Sequence, residues 1–156
     1  MAVQEAPDSP RRWCFGCGDA NPEGLGIQFQ VDGKSVTGLF EARKTHQGFP
    51  GMAHGGIAAA AIDEAMGWAM YAAGAWAMTA RLEVRYRRPL PLGEPLEVSA
   101  EVVRDRGRWL EAEGRVRVAG GPLLAEAKAL FMRLPADKER QMQEFYLSGS
   151  VPANDG

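Results

Sequence analysis

The segment from Gly55 to Met78 limits the fold most strongly. It is built mainly of Ala, Met, Ile and Trp, yet Asp63 and Glu64 sit inside it. Charge at the centre of a bilayer is expensive, so a helix buried within a soluble domain is a better reading than a membrane span. That helix is expected from Gly56 or Ile57 to about Ala73, closed near Gly74. Its alanines keep it slim, so a sheet can wrap closely around it.

The flanking segments read as strands. Leu25 to Val31 alternates partly, Asp32-Gly33 is a hairpin turn, and Ser35 to Glu41 is the return strand. Residues 43–55 contain His46, Gly48, Pro50, Gly51 and Gly55, an irregular approach to the helix. After the helix, strands are expected over Met78–Arg88, Leu96–Asp105, Trp109–Val118 and Leu123–Leu134. Short turns between them make neighbours antiparallel. The expected architecture is α+β: a curved antiparallel sheet of about six strands around one long central helix. A chain of 156 residues suits one such domain. Residues 1–12 read as a mobile amino-terminal tail, 13–134 as the domain, and 135–156 as a carboxy-terminal helix and tail.

Composition narrows the partners. The net charge of -2 offers no basic excess for nucleic acid. The first ten residues lack an apolar stretch, so no secretory signal is expected. Cys14 and Cys17 are the only cysteines, too few for a disulfide framework, and a cytoplasmic location is expected. They invite a zinc reading, but structural zinc needs four ligands and the chain has no second pair. No metal and no resident cofactor are expected.

Two features carry chemistry. At three and four residues from Asp63 the helix offers Ala59, Ala60, Met66, Gly67 and Met70, a face that desolvates a carboxylate. Such an acid is either functional or paired with donors from another element. Gly55-Gly56 opens the helix, where unpaired N–H groups and the dipole stabilise negative charge. An oxyanion hole requires this, although a glycine turn entering a helix explains the same residues.

Taken together, His54-Gly55-Gly56-Ile57 and the following Asp63-Glu64 resemble the hotdog-fold acyl-CoA thioesterases. The likeness is nearest to the branch of phenylacetate-pathway and 4-hydroxybenzoyl-CoA thioesterases. Cys14-Phe15-Gly16-Cys17-Gly18 with Asn21-Pro22 and Gly24-Leu25 is similar to the amino-terminal signature of one subgroup. Gln47-Gly48-Phe49-Pro50-Gly51 and Val84-Arg85-Tyr86-Arg87-Arg88-Pro89 extend the likeness over roughly residues 13–134. The resemblance implies a hotdog fold, thioester hydrolysis and Asp63, nine residues after His54, as the catalytic acid.

There are departures from the pattern. Some relatives carry an Asn where this chain has Gly48; His46 and Gln47 are the neighbours available for its role. A Ser or Thr seven residues before the strand Tyr completes the site in relatives, and Thr79 holds that position. Regular alternation puts Thr79 on the same face as Arg81 and Arg85, so a catalytic role there requires a bulge or the sheet edge.

The expected site therefore comprises Asp63, the Gly55 N–H, Gly56, Thr79 and His54, with His54 ordering the turn and Glu64 as a spare acid. Gln47 and Gly48 are candidates for contacting substrate. Arg81, Arg85, Arg87 and Arg88 are candidates for the coenzyme A phosphates, although a solvated sheet face explains the arginines equally.

Asp63 lies about 10 Å along the helix from Gly56, at ~1.5 Å per residue. One helix thus cannot present both groups to one carbonyl. Two antiparallel helices can, so a homodimer or a dimer of dimers is expected, with sites between subunits. The alternatives are a non-catalytic acyl-CoA-binding module and a hotdog dehydratase, for which His46 is the only spare His.

Overall fold

The computed structural model describes residues 10–148. Its strands are β1 (Gln28–Asp32), β2 (Ser35–Glu41), β3 (Ala77–Tyr86), β4 (Pro95–Asp105), β5 (Trp109–Val118) and β6 (Leu123–Arg133); its helices are α1 (Gly55–Ala72) and α2 (Ala136–Ser148). The six strands form one antiparallel sheet in the order β1-β2-β4-β5-β6-β3, which leaves β1 and β3 as its edges. This is the expected α+β architecture, with α1 against the sheet. Among the described residues, no helix is long and apolar enough to cross a membrane.

The packing of α1 explains its composition. Ala58, Ala61, Ile62, Ala65, Met66, Ala69 and Met70 are buried, a seam repeating every three to four residues. It meets Val36, Leu96, Val98, Leu110, Val116 and Phe131 from the sheet in one core. The tightest approach is at Gly114 on β5, where an added Cβ would lie 2.7 Å from Ile62 Cγ2 and 3.2 Å from Met66 Cε. Glycine at this position makes room for the larger side chains of the helix.

Three boundaries differ from the expected ones by two residues or more, the simplest being the end of β3 at Tyr86 rather than Arg88. The first strand begins at Gln28 rather than Leu25. Gly26 takes a positive φ of 60°, which interrupts the extended chain. The N–H groups of Leu25 and Ile27 bond the carbonyls of Phe15 and Gly16, not a neighbouring strand. Order also begins before residue 13: Pro10–Trp13 forms a 3-10 turn inside the segment expected to be a mobile tail. Arg11 stacks over the Trp68 ring of α1 at 4.7 Å, and Arg12 pairs with Asp19 at 2.8 Å. Residues 1–9 of that tail lie outside the described residues.

Replacing Gly114 with Ala is expected to lower folding stability by about 1–3 kcal/mol through overpacking. Urea denaturation measures this; an unchanged midpoint contradicts the close-approach role.

Candidate active site

The start of α1 is assembled from backbone and side-chain bonds. His54 is the N-cap: its Nδ1 accepts the Gly56 N–H at 2.9 Å. The His54 ring proton therefore sits on Nε2, and His54 orders the turn. This corrects one expectation. The Gly56 N–H is already engaged by the cap, so it is not open to a ligand as this turn folds. The Gly55 N–H is the first of the helix and has no intrahelical acceptor. From below, the Tyr86 hydroxyl of β3 donates to the Gly55 carbonyl at 2.7 Å.

The loop before His54 is braced on itself. The His54 N–H bonds the His46 carbonyl at 2.8 Å. A Cβ on Gly48 would lie 2.9 Å from His54 Cα, so an Asn at this position does not fit the loop as it folds here. Both neighbours make contacts within the loop. His46 is buried, its Nδ1 accepting the Arg43 N–H and its Nε2 bonding the Glu23 carbonyl. Gln47 accepts the Gly51 N–H through Oε1, at 3.0 Å. Both residues shape the loop.

Asp63 lies half-buried on the flank of α1, because Met66 and Met70 turn into the core beneath it. Its Oδ1 accepts the Thr79 hydroxyl at 2.7 Å. A register shift between Thr79 and Arg81 makes this contact possible, with Ala80 as the extra residue of a bulge. Thr79 is paired with buried Phe131 and faces the helix, whereas Arg81 is paired with Leu130 and faces outward. Thr79 and Arg81 thus point to opposite faces, contrary to regular alternation. The same extra residue puts Thr79 and Tyr86 on one face despite their odd spacing. Since β3 is also an edge strand, both conditions for a Thr79 role are met.

The arginines divide into two sets. Arg81 pairs with Glu83 at 3.3 Å, and Arg87 with Glu126 at 2.6 Å. The Arg87 guanidinium holds the Glu126 carboxyl below its usual range. Arg85 and Arg88 form no ion pair among the described residues.

Glu64, expected as a spare acid, turns away from Asp63's partner toward the amino-terminal loop. Its Oε1 lies 3.4 Å from Cys14 Sγ in a hydrogen bond. Burial pushes the Glu64 carboxyl up to about 7. The Cys17 thiol donates to Cys14 and, with the N–H groups of Cys17 and Gly16, holds Cys14 down at about 5 against the effect of burial. Cys17 is correspondingly pushed up, first by that hydrogen bond and then by burial.

Tyr86 and the Glu64–cysteine contact were not assigned from sequence. The spacing of Tyr86 from Thr79 was visible, but its bond to Gly55 required knowledge of the bulge. Glu64 and Cys14 are 50 residues apart, with no pattern linking them.

A single antiparallel sheet curled around a helix that opens on His-Gly-Gly is the hotdog architecture. Residues 50–125 match the model of the thioesterase superfamily, and the chain belongs to that superfamily. The acyl-coenzyme A thioesterase THEM4 of Bos taurus is 34% identical over 121 residues, covering 74% of this chain and 50% of that protein. Its Mus musculus counterpart is 34% identical over 122 residues, covering 74% and 52%. The chain thus spans about half the length of these relatives. Among solved structures, a thioesterase superfamily protein aligns with a TM-score of 0.70 at 33% identity, covering 74% of this chain and 60% of the other. The phenylacetic acid degradation protein PaaI of Thermus thermophilus aligns with a TM-score of 0.66 at 28% identity, covering 72% and 96%.

Tyr86→Phe is expected to lower kcat several-fold while costing only about 1 kcal/mol of stability, the net value of one hydrogen bond. Steady-state kinetics on an acyl-CoA, paired with thermal denaturation, checks it. Unchanged kcat contradicts a positioning role for Tyr86 at the helix start.

Proposed function

We propose that this chain hydrolyses acyl-CoA thioesters to a free acid and a thiol, at sites shared by two copies of the chain, in the reducing cytoplasm where its two cysteines remain free thiols. The observation that carries the reading is the Asp63–Thr79 hydrogen bond, which fixes a carboxylate beside an open strand edge. The superfamily membership and the names of the THEM4 relatives support the same chemistry.

The geometry of α1 supports the shared site. From Gly55 to Asp63 is about 12 Å along the axis at ~1.5 Å per residue, too far for one carbonyl to touch both. Edge strand β3 runs for ten residues, and a long open edge is a template for pairing. Two-fold pairing there brings the Asp63 of one copy toward the Gly55 N–H of the other, creating two equal sites. Gly55 N–H polarises the thioester carbonyl, and the dipole of α1 adds to its field.

Asp63 takes the proton of the attacking water, or attacks the carbonyl itself to form an anhydride that water then opens. On either route the C–S bond breaks and the coenzyme A sulfur leaves and is protonated. Label in Asp63 after a single turnover in oxygen-labelled water identifies direct attack, with water opening the anhydride at the Asp63 carbonyl. Arg88, which forms no ion pair among the described residues, and Arg85, whose charge faces Glu126 across the ladder without a close ion pair, are the cations we assign to the phosphates; no other cofactor is required.

The alternatives fare less well. A dehydratase needs a free imidazole, and both ring nitrogens of His46 are bonded to backbone. A pure binding module has no use for a carboxylate oriented by a hydroxyl.

Thiol release from a panel of acyl-CoAs tests the activity. Asp63→Asn is expected to reduce turnover by roughly 100-fold or more. Thr79→Ala is expected to reduce it by roughly 10-fold or more, the worth of a hydrogen bond to a charged group. Binding without thiol release by the unmodified chain would falsify the hydrolase reading. Light scattering alongside turnover is expected to show a dimer or a larger even assembly; a fully active monomer rules out the shared site.

A further inference from the structure

The proposed hydrolysis does not use Cys14, Cys17 or Glu64, yet the chain is shaped around their meeting point. Residues 14–18 form a tight knuckle in which the Gly18 N–H bonds the Cys14 carbonyl at 2.9 Å. A Cβ on Gly18 would lie 2.3 Å from the Arg12 carbonyl and 2.5 Å from that of Cys14. A Cβ on Gly16 would lie 2.3 Å from Glu64 Cγ. Gly18 is therefore required to close the knuckle, and Gly16 lets the knuckle seat on Glu64 with that side chain placed as it is here.

The two sulfurs and a Glu64 carboxylate oxygen all lie within 4.8 Å of one another, and all three residues are half-buried. A tetrahedral ion with Zn–S of ~2.3 Å and Zn–O of ~2.0 Å sets its sulfur and oxygen ligands about 3.5 Å apart. The Cys14 Sγ to Glu64 Oε1 separation is 3.4 Å.

We propose that Cys14, Cys17 and Glu64 form a binding site for a thiophilic divalent cation of the zinc class, with solvent at the fourth position. Two sulfur donors select this class over magnesium or calcium, which take oxygen ligands. Both histidines have the ring contacts described above, His46 at both nitrogens and His54 at Nδ1. The three-donor set differs from a Cys-x-x-Cys site needing a second pair, because the third ligand comes from the central helix. Binding takes both sulfurs as thiolates, so the proton held on Cys17 is released to solvent. The ion then ties the amino-terminal loop to α1 at the residue adjoining Asp63.

The test uses the full chain, kept reduced with a phosphine and stripped with a chelator. Cobalt(II) serves as the spectroscopic probe, and zinc affinity is read by competition with a chromophoric chelator. The expected result is one ion per chain with a thiolate-to-cobalt charge-transfer band. Cys14→Ser and Cys17→Ser each weaken zinc binding by roughly 100-fold or more, and Glu64→Gln, which keeps both sulfurs, by roughly 10-fold or more. Circular dichroism verifies that each variant folds. Metal uptake equal to that of a Cys14→Ser/Cys17→Ser double variant overturns the proposal. So does an unchanged affinity in Glu64→Gln, or conversion of the pair to a disulfide in protein that takes up no metal.

Discussion

The close approach of α1 to the concave face of the sheet is the contact on which the other features depend. Ala58, Ala61, Ala65 and Ala69 thin the helix where it meets the strands, and Gly114 thins β5 opposite Ile62. With bulkier residues at these positions, the helix would stand further off. The Thr79 hydroxyl has little reach, so its 2.7 Å bond to Asp63 requires this proximity. The same holds for Tyr86 and the Gly55 carbonyl. Packing density in the core and precision at the site are thus one property here.

The bulge in β3 converts that proximity into a site. A strand in strict alternation would send either Thr79 or Tyr86 to the outer face, because seven residues separate them. One extra residue, Ala80, lets both face α1, with Thr79 against Asp63 and Tyr86 against the first turn. The bulge also sends Arg81 outward to pair with Glu83. A single backbone irregularity therefore separates the polar groups that serve α1 from those that solvate the sheet.

The fold was readable in the sequence because its signals are local. Glycine and proline punctuation bounded β2, β4, β5 and β6 within a residue, and the alanine-rich stretch marked α1. Where the reading failed, distant groups had won the backbone: Leu25 and Ile27 bond the loop carbonyls of Phe15 and Gly16, so the first strand starts late. At the candidate site, His-Gly-Gly and the acid nine residues on were legible as a spacing. The loss of the Gly56 N–H to the His54 ring was not, because a cap depends on a side-chain rotamer. Among the arginines, the partner of Arg81 lies two residues along its own strand, whereas Glu126, the partner of Arg87, is identified only by strand register.

The adjacent acids of α1 show how one helix can serve two environments. Successive residues point about 100° apart around a helix, so Asp63 and Glu64 cannot share a neighbour on the same side. Asp63 meets the edge strand and Glu64 the amino-terminal knuckle. One carboxylate is held by a hydroxyl beside an open edge, and the other is crowded against two thiols in a half-buried cluster. The sequence alone ranked them, Asp63 as the principal acid and Glu64 as its spare. Their partners make them different groups: Asp63 accepts the Thr79 hydroxyl, while Glu64 is set against two sulfurs. Because both sit on one rigid helix, any displacement of α1 by the amino-terminal loop is felt at Asp63.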